Sequence, residues 1–308
     1  MSTPFDDMLK SPSETGAAPP KFVRTRPFYW SLRREIFEHR GVWIAPLAGA
    51  ALALFGFLIS SWKIPGRVRD AVADPAKLDN LMIPYSFVAM GVLVLSFAFA
   101  IFYSIDALHG ERRDRSILFW KSLPVSDATT VLSKAAIPLA VLPAIMIAVI
   151  FAGQVVALAW SSLVVLFAGL DPWDLWSRLN FGFMWFMIVY GLVFLALWYA
   201  PVVGYLLMVS AWAKRMPILW AIAPFIAIGI IERMAFGTAR FFSIPEYRLG
   251  GGFALAFTKN GSHEDTLDGF ADLDLSRTFA NPDLWLGLIA AALFVFVAIR
   301  LRRSRSPL

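Results

Sequence analysis

Long runs of apolar residues, separated by short charged stretches, dominate this chain. They cover about Val42 to Trp62, Leu81 to Ile105, Ala135 to Leu158, Phe181 to Trp212, Pro217 to Ile231 and Leu284 to Leu301. Several exceed the roughly 18 to 20 apolar residues needed to cross a bilayer. Inside lipid every backbone polar group must be satisfied locally, so the runs are read as helices and not as strands. The pattern therefore predicts an all-α, polytopic membrane helix bundle with six transmembrane helices. Trp43 and Trp62 bracket the first run as an aromatic belt would. The third run stays apolar to Leu170, too long for one simple crossing, and predicts a span to about Leu158 continued by a tilted or interfacial piece. In the long fourth run, Pro201 and Gly204 offer a kink. Asn281-Pro282-Asp283 opens the sixth with a helix-start signal.

The polar segments between these runs differ in character. Residues 1–26, with tandem Pro19 and Pro20, read as a disordered tail. Residues 27–40 read as an amphipathic interfacial helix. Tyr29, Leu32 and Ile36 fall on one face, joined by Phe28 and Phe37, while Arg33, Arg34, Glu35 and Glu38 are expected to point away from it. Residues 235–281 carry a glycine triplet (Gly250 to Gly252), an apolar patch (Phe253 to Phe257) and an acidic stretch, and predict a cap of short helices or a re-entrant element. Residues 302–308 form a basic tail.

Charge fixes an expected orientation. With the N-terminal tail, the 106–134 loop, the Lys214-Arg215 turn and the C-terminal tail on one side, that side holds 18 of the 28 Lys and Arg residues. By the positive-inside rule it is the cytoplasmic side, so both termini are expected inside. No hydrophobic core lies near the start, so no cleavable signal peptide is expected and the first span serves as the insertion signal.

Composition agrees with this reading: 58% of the 308 residues are hydrophobic and only 16% charged. One soluble core could not hide so much apolar surface. The absence of cysteine excludes disulfides, thiolate metal sites and cysteine nucleophiles. No G-x-x-x-x-G-K-[ST], H-E-x-x-H or G-x-S-x-G motif is present, which removes the common signatures of nucleotide hydrolysis, zinc proteolysis and serine hydrolysis. His39, His109 and His263 fall on different polar segments and are not expected to form one metal site. Asp106, Lys134, Glu232 and Arg233 lie at span ends, where snorkelling is expected to make their charges cheap. With span interiors read as nearly free of ionisable groups, a proton- or sodium-coupled carrier is disfavoured. Whatever drives this protein is expected to come from outside it.

The 106–134 loop is the candidate point of drive. Glu111, Arg112, Arg113, Asp114 and Arg115 read as exposed charge able to grip a partner. Ile117, Leu118, Phe119 and Trp120 follow as apolar anchors, and Pro124 stops the run. The plainer reading is a topology-setting loop with Trp120 among the headgroups.

The order of charged segment, short helix, Leu-Pro-Val-Ser and a stretch ending Val131-Leu-Ser-Lys134 resembles the first cytoplasmic loop of ABC-transporter permeases of the type-2 exporter family. The amphipathic segment before the first span and the larger outer segment before the last resemble that family too. The resemblance implies a coupling helix in this loop that docks on an ATPase, and a connecting helix at residues 27–40. It also implies a second permease subunit, in a homodimer or heterodimer, and separate P-loop ATPase subunits that bind ATP and Mg. The chain itself would be no enzyme and hold no cofactor. Its surroundings would be membrane lipid in a bacterial cytoplasmic membrane, with no nucleic-acid partner. The substrate path would run along apolar residues of a dimer seam; Phe181 to Met187 is a candidate lining, although lipid-facing packing explains it as well. The alternatives are a subunit exporting an envelope component, a membrane-embedded lipid-acting enzyme and a non-transporting scaffold.

Overall fold

The computed structural model describes residues 26–74, 77–114, 125–238, 240–258, 270 and 274–304. Its helices are α1 (Pro27–Glu38), α2 (Gly41–Ser60), α3 (Ile64–Ala73), α4 (Leu78–Asp106) and α5 (His109–Arg113). Next come α6 (Asp127–Ala136), α7 (Leu142–Phe167), α8 (Pro172–Trp176), α9 (Phe181–Trp198) and α10 (Ala200–Trp212). The last four are α11 (Pro217–Phe236), α12 (Ser243–Phe257), α13 (Leu275–Phe279) and α14 (Pro282–Ser304). No β-strand occurs among the described residues. Six of the helical segments are long and apolar enough to cross a membrane, so the protein is an all-α, multi-pass membrane bundle.

Local sequence sets most helix starts. Ser126 caps α6 by accepting a bond from the Thr129 N–H, and Asn180 caps α9 through the Phe183 N–H. Asn281 accepts from the Asp283 N–H, with Pro282 at the first helical position of α14. Before α11, Met216 turns the chain in the left-handed region and Pro217 starts the helix.

The spans pack through narrow stripes. In α2 the buried side is Val42, Pro46, Gly49, Ala50 and Phe57; in α4 it includes Leu81, Tyr85, Val88, Val92 and Tyr103. Both follow the helical repeat. The two helices cross at Gly49 and Gly91: a Cβ at Gly91 would stand 2.8 Å from both the Ala53 Cβ and the Gly49 carbonyl oxygen. Small residues let backbones meet this closely, the usual device for helix association in lipid. Opposite faces, such as Leu47, Leu52 and Phe55 on α2, stay exposed and suit acyl chains.

Two adjacent spans are interrupted. The third runs from Asp127 to Phe167, its extra length including a π-helical turn at Ile137–Val141 that holds Pro138. The fourth consists of α9 and α10, broken at Tyr199. Pro201 has no N–H to offer the Leu197 carbonyl four residues back, so the ladder fails one turn ahead of it. Between the interruptions and α4 lies a cavity of about 70 Å³ lined by residues including Ser96, Pro138, Leu142, Tyr199 and Val203. Ser96 is fully buried, and its hydroxyl has no hydrogen-bond partner among the described residues.

At the end away from the basic cluster, α12 lies against α9. Trp198 Nε1 donates to the Arg248 carbonyl at 2.8 Å, while the Arg248 guanidinium sits 4.3 Å from the Trp198 ring centre. Phe183, Met187, Tyr190, Phe194 and Trp198 of α9 form a buried aromatic stripe beneath this cap. Within the Phe181–Met187 run, Phe183 and Met187 therefore face protein, whereas Phe186 stands half exposed.

Candidate functional site

The strongest concentration of chemistry lies at the basic end, and it is buried. Glu35 of α1 is wholly covered; its Oε1 takes Lys134 Nζ of α6 at 2.8 Å and Arg34 Nη2 at 2.8 Å. Its Oε2 accepts from the Tyr103 hydroxyl of α4 at 2.9 Å. Glu111 of α5 takes Arg302 Nη1 of α14 at 2.7 Å, and lies 3.2 Å from Lys134 Nζ and 3.5 Å from Arg34 Nη2. Arg302 Nε in turn stands 3.1 Å from Asp127 Oδ1 of α6. Three carboxylates (Glu35, Glu111, Asp127) thus face three cations (Arg34, Lys134, Arg302) in one balanced cluster, with the exposed Glu38 at its edge 3.4 Å from Arg34, and the cluster ties α1, α5, α6 and α14 together. Charge balance and mutual bonding are what make such burial tolerable, since an isolated ion there would be very costly.

A second set of contacts fixes α5 to α10. Ser210 Oγ accepts from the backbone N–H groups of Leu108 and His109, at 3.0 and 2.9 Å, and so caps α5 from about a hundred residues away. Arg112 Nη1 donates to the carbonyls of Ala211 at 2.9 Å and Ala213 at 3.3 Å, placing a cation on the C-terminal end of α10.

These contacts correct three expectations. Glu111 and Arg112 were read as exposed grips, but both point into the bundle; of the four described residues in that charged stretch, only Arg113 and Asp114 are exposed. Lys134 does not snorkel. It is 2% exposed and bonded to Glu35, because two buried carboxylates offer it more than the interface does. In α1, Glu35 faces the bundle together with Ser31, with Leu32 and Ile36 packed beside it. Arg34 turns inward as well. The outward face is Phe28, Tyr29, Trp30 and Phe37, with the Arg33 guanidinium 5.3 Å from the Trp30 ring centre and 5.7 Å from that of Phe37. Arg115, Ile117, Leu118, Phe119, Trp120 and Pro124 lie outside the described residues.

Burial alone would raise the Glu35 carboxyl. Lys134 and Arg34 outweigh it and hold the group below the usual carboxylate range. Burial pushes His39 below its usual value of 6.5 against the pull of Glu35, Glu38 and Asp106, with Lys134 adding to the lowering. Sequence reasoning missed Glu35, Tyr103, Lys134, Ser210 and Arg302 as one group. Their only linear signal is that Glu35 lies on the same turn face as Leu32 and Ile36. Among the described residues no group of three or more His, Asp and Glu side chains is placed to hold a metal ion.

No protein-family model, curated protein or solved structure matches this chain.

Proposed function

We propose that this chain is the membrane permease subunit of an ATP-driven exporter, worked from its basic end by a separate P-loop ATPase. The observation that carries the reading is the Glu111–Arg302 ion pair within the buried charge cluster. The two described flanks of the 106–134 loop, α5 and α6, are tied by that cluster to α1 and to the last span. A push on the loop would therefore move α1, α5, α6 and the end of α14 as a unit. It would not be lost in a floppy connection. The interruptions at Ile137–Val141 and Tyr199 lie just beyond this unit, where the third and fourth spans can bend. Resemblance of the loop to type-2 exporter permeases supplies the direction of transport and the expectation of a second permease subunit. The cytoplasmic membrane of a bacterium, with the basic end inside, is the location this reading requires.

The test is whether a neighbouring open reading frame encodes a P-loop ATPase, and whether that ATPase co-purifies with this chain and responds to it in nanodisc ATPase assays; no such neighbour and no co-purifying ATPase would count against the reading. The double substitution Phe119→Ala, Trp120→Ala should abolish co-purification while membrane insertion stays intact; unchanged co-purification would overturn the coupling role. Glu111→Ala should leave the ATPase bound but reduce its response to reconstitution with the permease.

A further inference from the structure

A groove of about 1110 Å³ opens between α4 and α11. That is slightly above the usual range for small-molecule sites, about 300–1,000 Å³. Its α11 wall is built on Ile218, Ile222, Ile226 and Ile230, four residues apart and so on one face. From Pro217 to Ile230 the wall runs about 20 Å at 1.5 Å per residue. One leaflet of the hydrocarbon core is about 15 Å deep. The groove is therefore long enough for an acyl chain of a single leaflet. Of the six spans, α11 is the least covered by the rest of the protein, with only Ala221 and Gly229 buried along it.

Polarity is confined to one end. His39, Asp106, His109 and Arg113 line the groove at the basic end with Tyr103, whose hydroxyl is bonded to Glu35, and its other lining residues are apolar. His109 is 6% exposed, and among the described residues neither of its ring nitrogens has a hydrogen-bond partner; Asp106 Oδ1 stands 3.7 Å from its Nδ1. A buried imidazole normally finds a partner, so this one is placed to serve a group that enters the groove. The sign of that group follows from the surroundings. Lys214 and Arg215 stand exposed just before the lining residue Met216. Arg113 is paired with Asp106 at 3.9 Å and Asp114 at 3.1 Å, so with Lys214 and Arg215 this end holds three permanent cations against those two carboxylates, a surplus of one. The start of α11 also lines this end; no side chain among the described residues caps it, and since Pro217 has no N–H and the Leu219 N–H bonds to the Met216 carbonyl, the Ile218 N–H and the helix dipole are what it offers an anion.

We propose that the groove binds an anionic phospholipid, its phosphate at His109, Arg113 and the start of α11, and its acyl chain along the isoleucine face. A second copy of this chain fits less well, because it would bring the same cationic rim. The proposal does not depend on the ATP-driven reading, and its test needs no ATPase.

Native mass spectrometry of the protein from nanodiscs of equal phosphatidylglycerol and phosphatidylcholine would count the retained lipids. Phosphatidylglycerol should be retained severalfold over phosphatidylcholine, and added inorganic phosphate should not displace it. Ala223→Trp, which fills the groove from a lining position, should remove the retained lipid. His109→Leu and Arg113→Ala should each reduce the headgroup preference; if His109→Leu fails to fold, the other two variants decide. Equal retention of both lipids, or retention undiminished by Ala223→Trp, would overturn the proposal. So would disulfide cross-linking of Ile226→Cys between two copies in phosphatidylglycerol bilayers, since the chain has no other cysteine and the groove would then be covered by protein.

Discussion

Lys134 shows how little a linear pattern says about where a charge ends up. At the end of an apolar run it reads as a snorkelling side chain, yet it is held between Glu35 and Glu111. No periodicity in residues 27–40 points to a lysine a hundred positions later; only the bundle brings them together. Truncating one partner strands the others. Lys134→Met should lower stability by about 3–5 kcal/mol, while the double substitution Glu35→Leu, Lys134→Met should cost less than the sum of the singles, as thermal unfolding in detergent can measure. Acid should act on the same cluster. The depressed Glu35 carboxyl contributes stability above the ordinary carboxylate value, and this is lost only as pH falls through its folded value, so Glu35→Gln should weaken the protein at neutral pH and flatten its acid limb. His39 works in a higher window. Its folded value lies below 6.5, so the unfolded chain binds more protons there and stability falls as pH drops below 6.5. Glu35, Glu38, Asp106 and Lys134 are the charges around it, and His39→Gln should remove that part of the pH profile.

Helices were far more legible than contacts. Hydropathy picked out the six helical segments long and apolar enough to cross a membrane, and Asn281-Pro282-Asp283 marked the start of α14 because capping is a local transaction between neighbouring residues. The rotation of α1 was not legible. Aromatics and carboxylates alternate around it, and the choice between lipid and bundle rests on Tyr103 and Lys134, which its own sequence does not contain. The same holds for Gly49 and Gly91, ordinary in sequence but decisive at the crossing of α2 and α4. Gly91→Leu should force these helices apart and cost more stability than Gly56→Leu, whose added Cβ would meet open space; thermal melts of the two variants compare them directly. The break in the fourth span was foreshadowed by Pro201. Pro201→Ala should restore the missing ladder bond and slow amide hydrogen exchange around Tyr199, whereas unchanged exchange would show that packing, not the proline, holds the break open.

Across the whole molecule, apolar content and charge bias were enough to give a six-span bundle with one strongly basic end. They could not say that this end is cross-linked inside as well as charged outside. Orientation is open to a direct measurement, because the chain is free of cysteine. Ser177→Cys, at the end opposite the buried cluster, should react with an impermeant thiol reagent added to intact cells, and Arg303→Cys should not. The reverse pattern would turn the bundle over and place the proposed ATPase contact on the wrong side. The interrupted third and fourth spans add a mechanical consequence. A cavity of 70 Å³ per molecule is about 40 mL per mole, within the range of volume changes through which pressure acts on proteins. Hydrostatic pressure should therefore favour whichever arrangement of these two spans closes the space beside Ser96. Compression offers a way to populate that arrangement without nucleotide, partner or substrate.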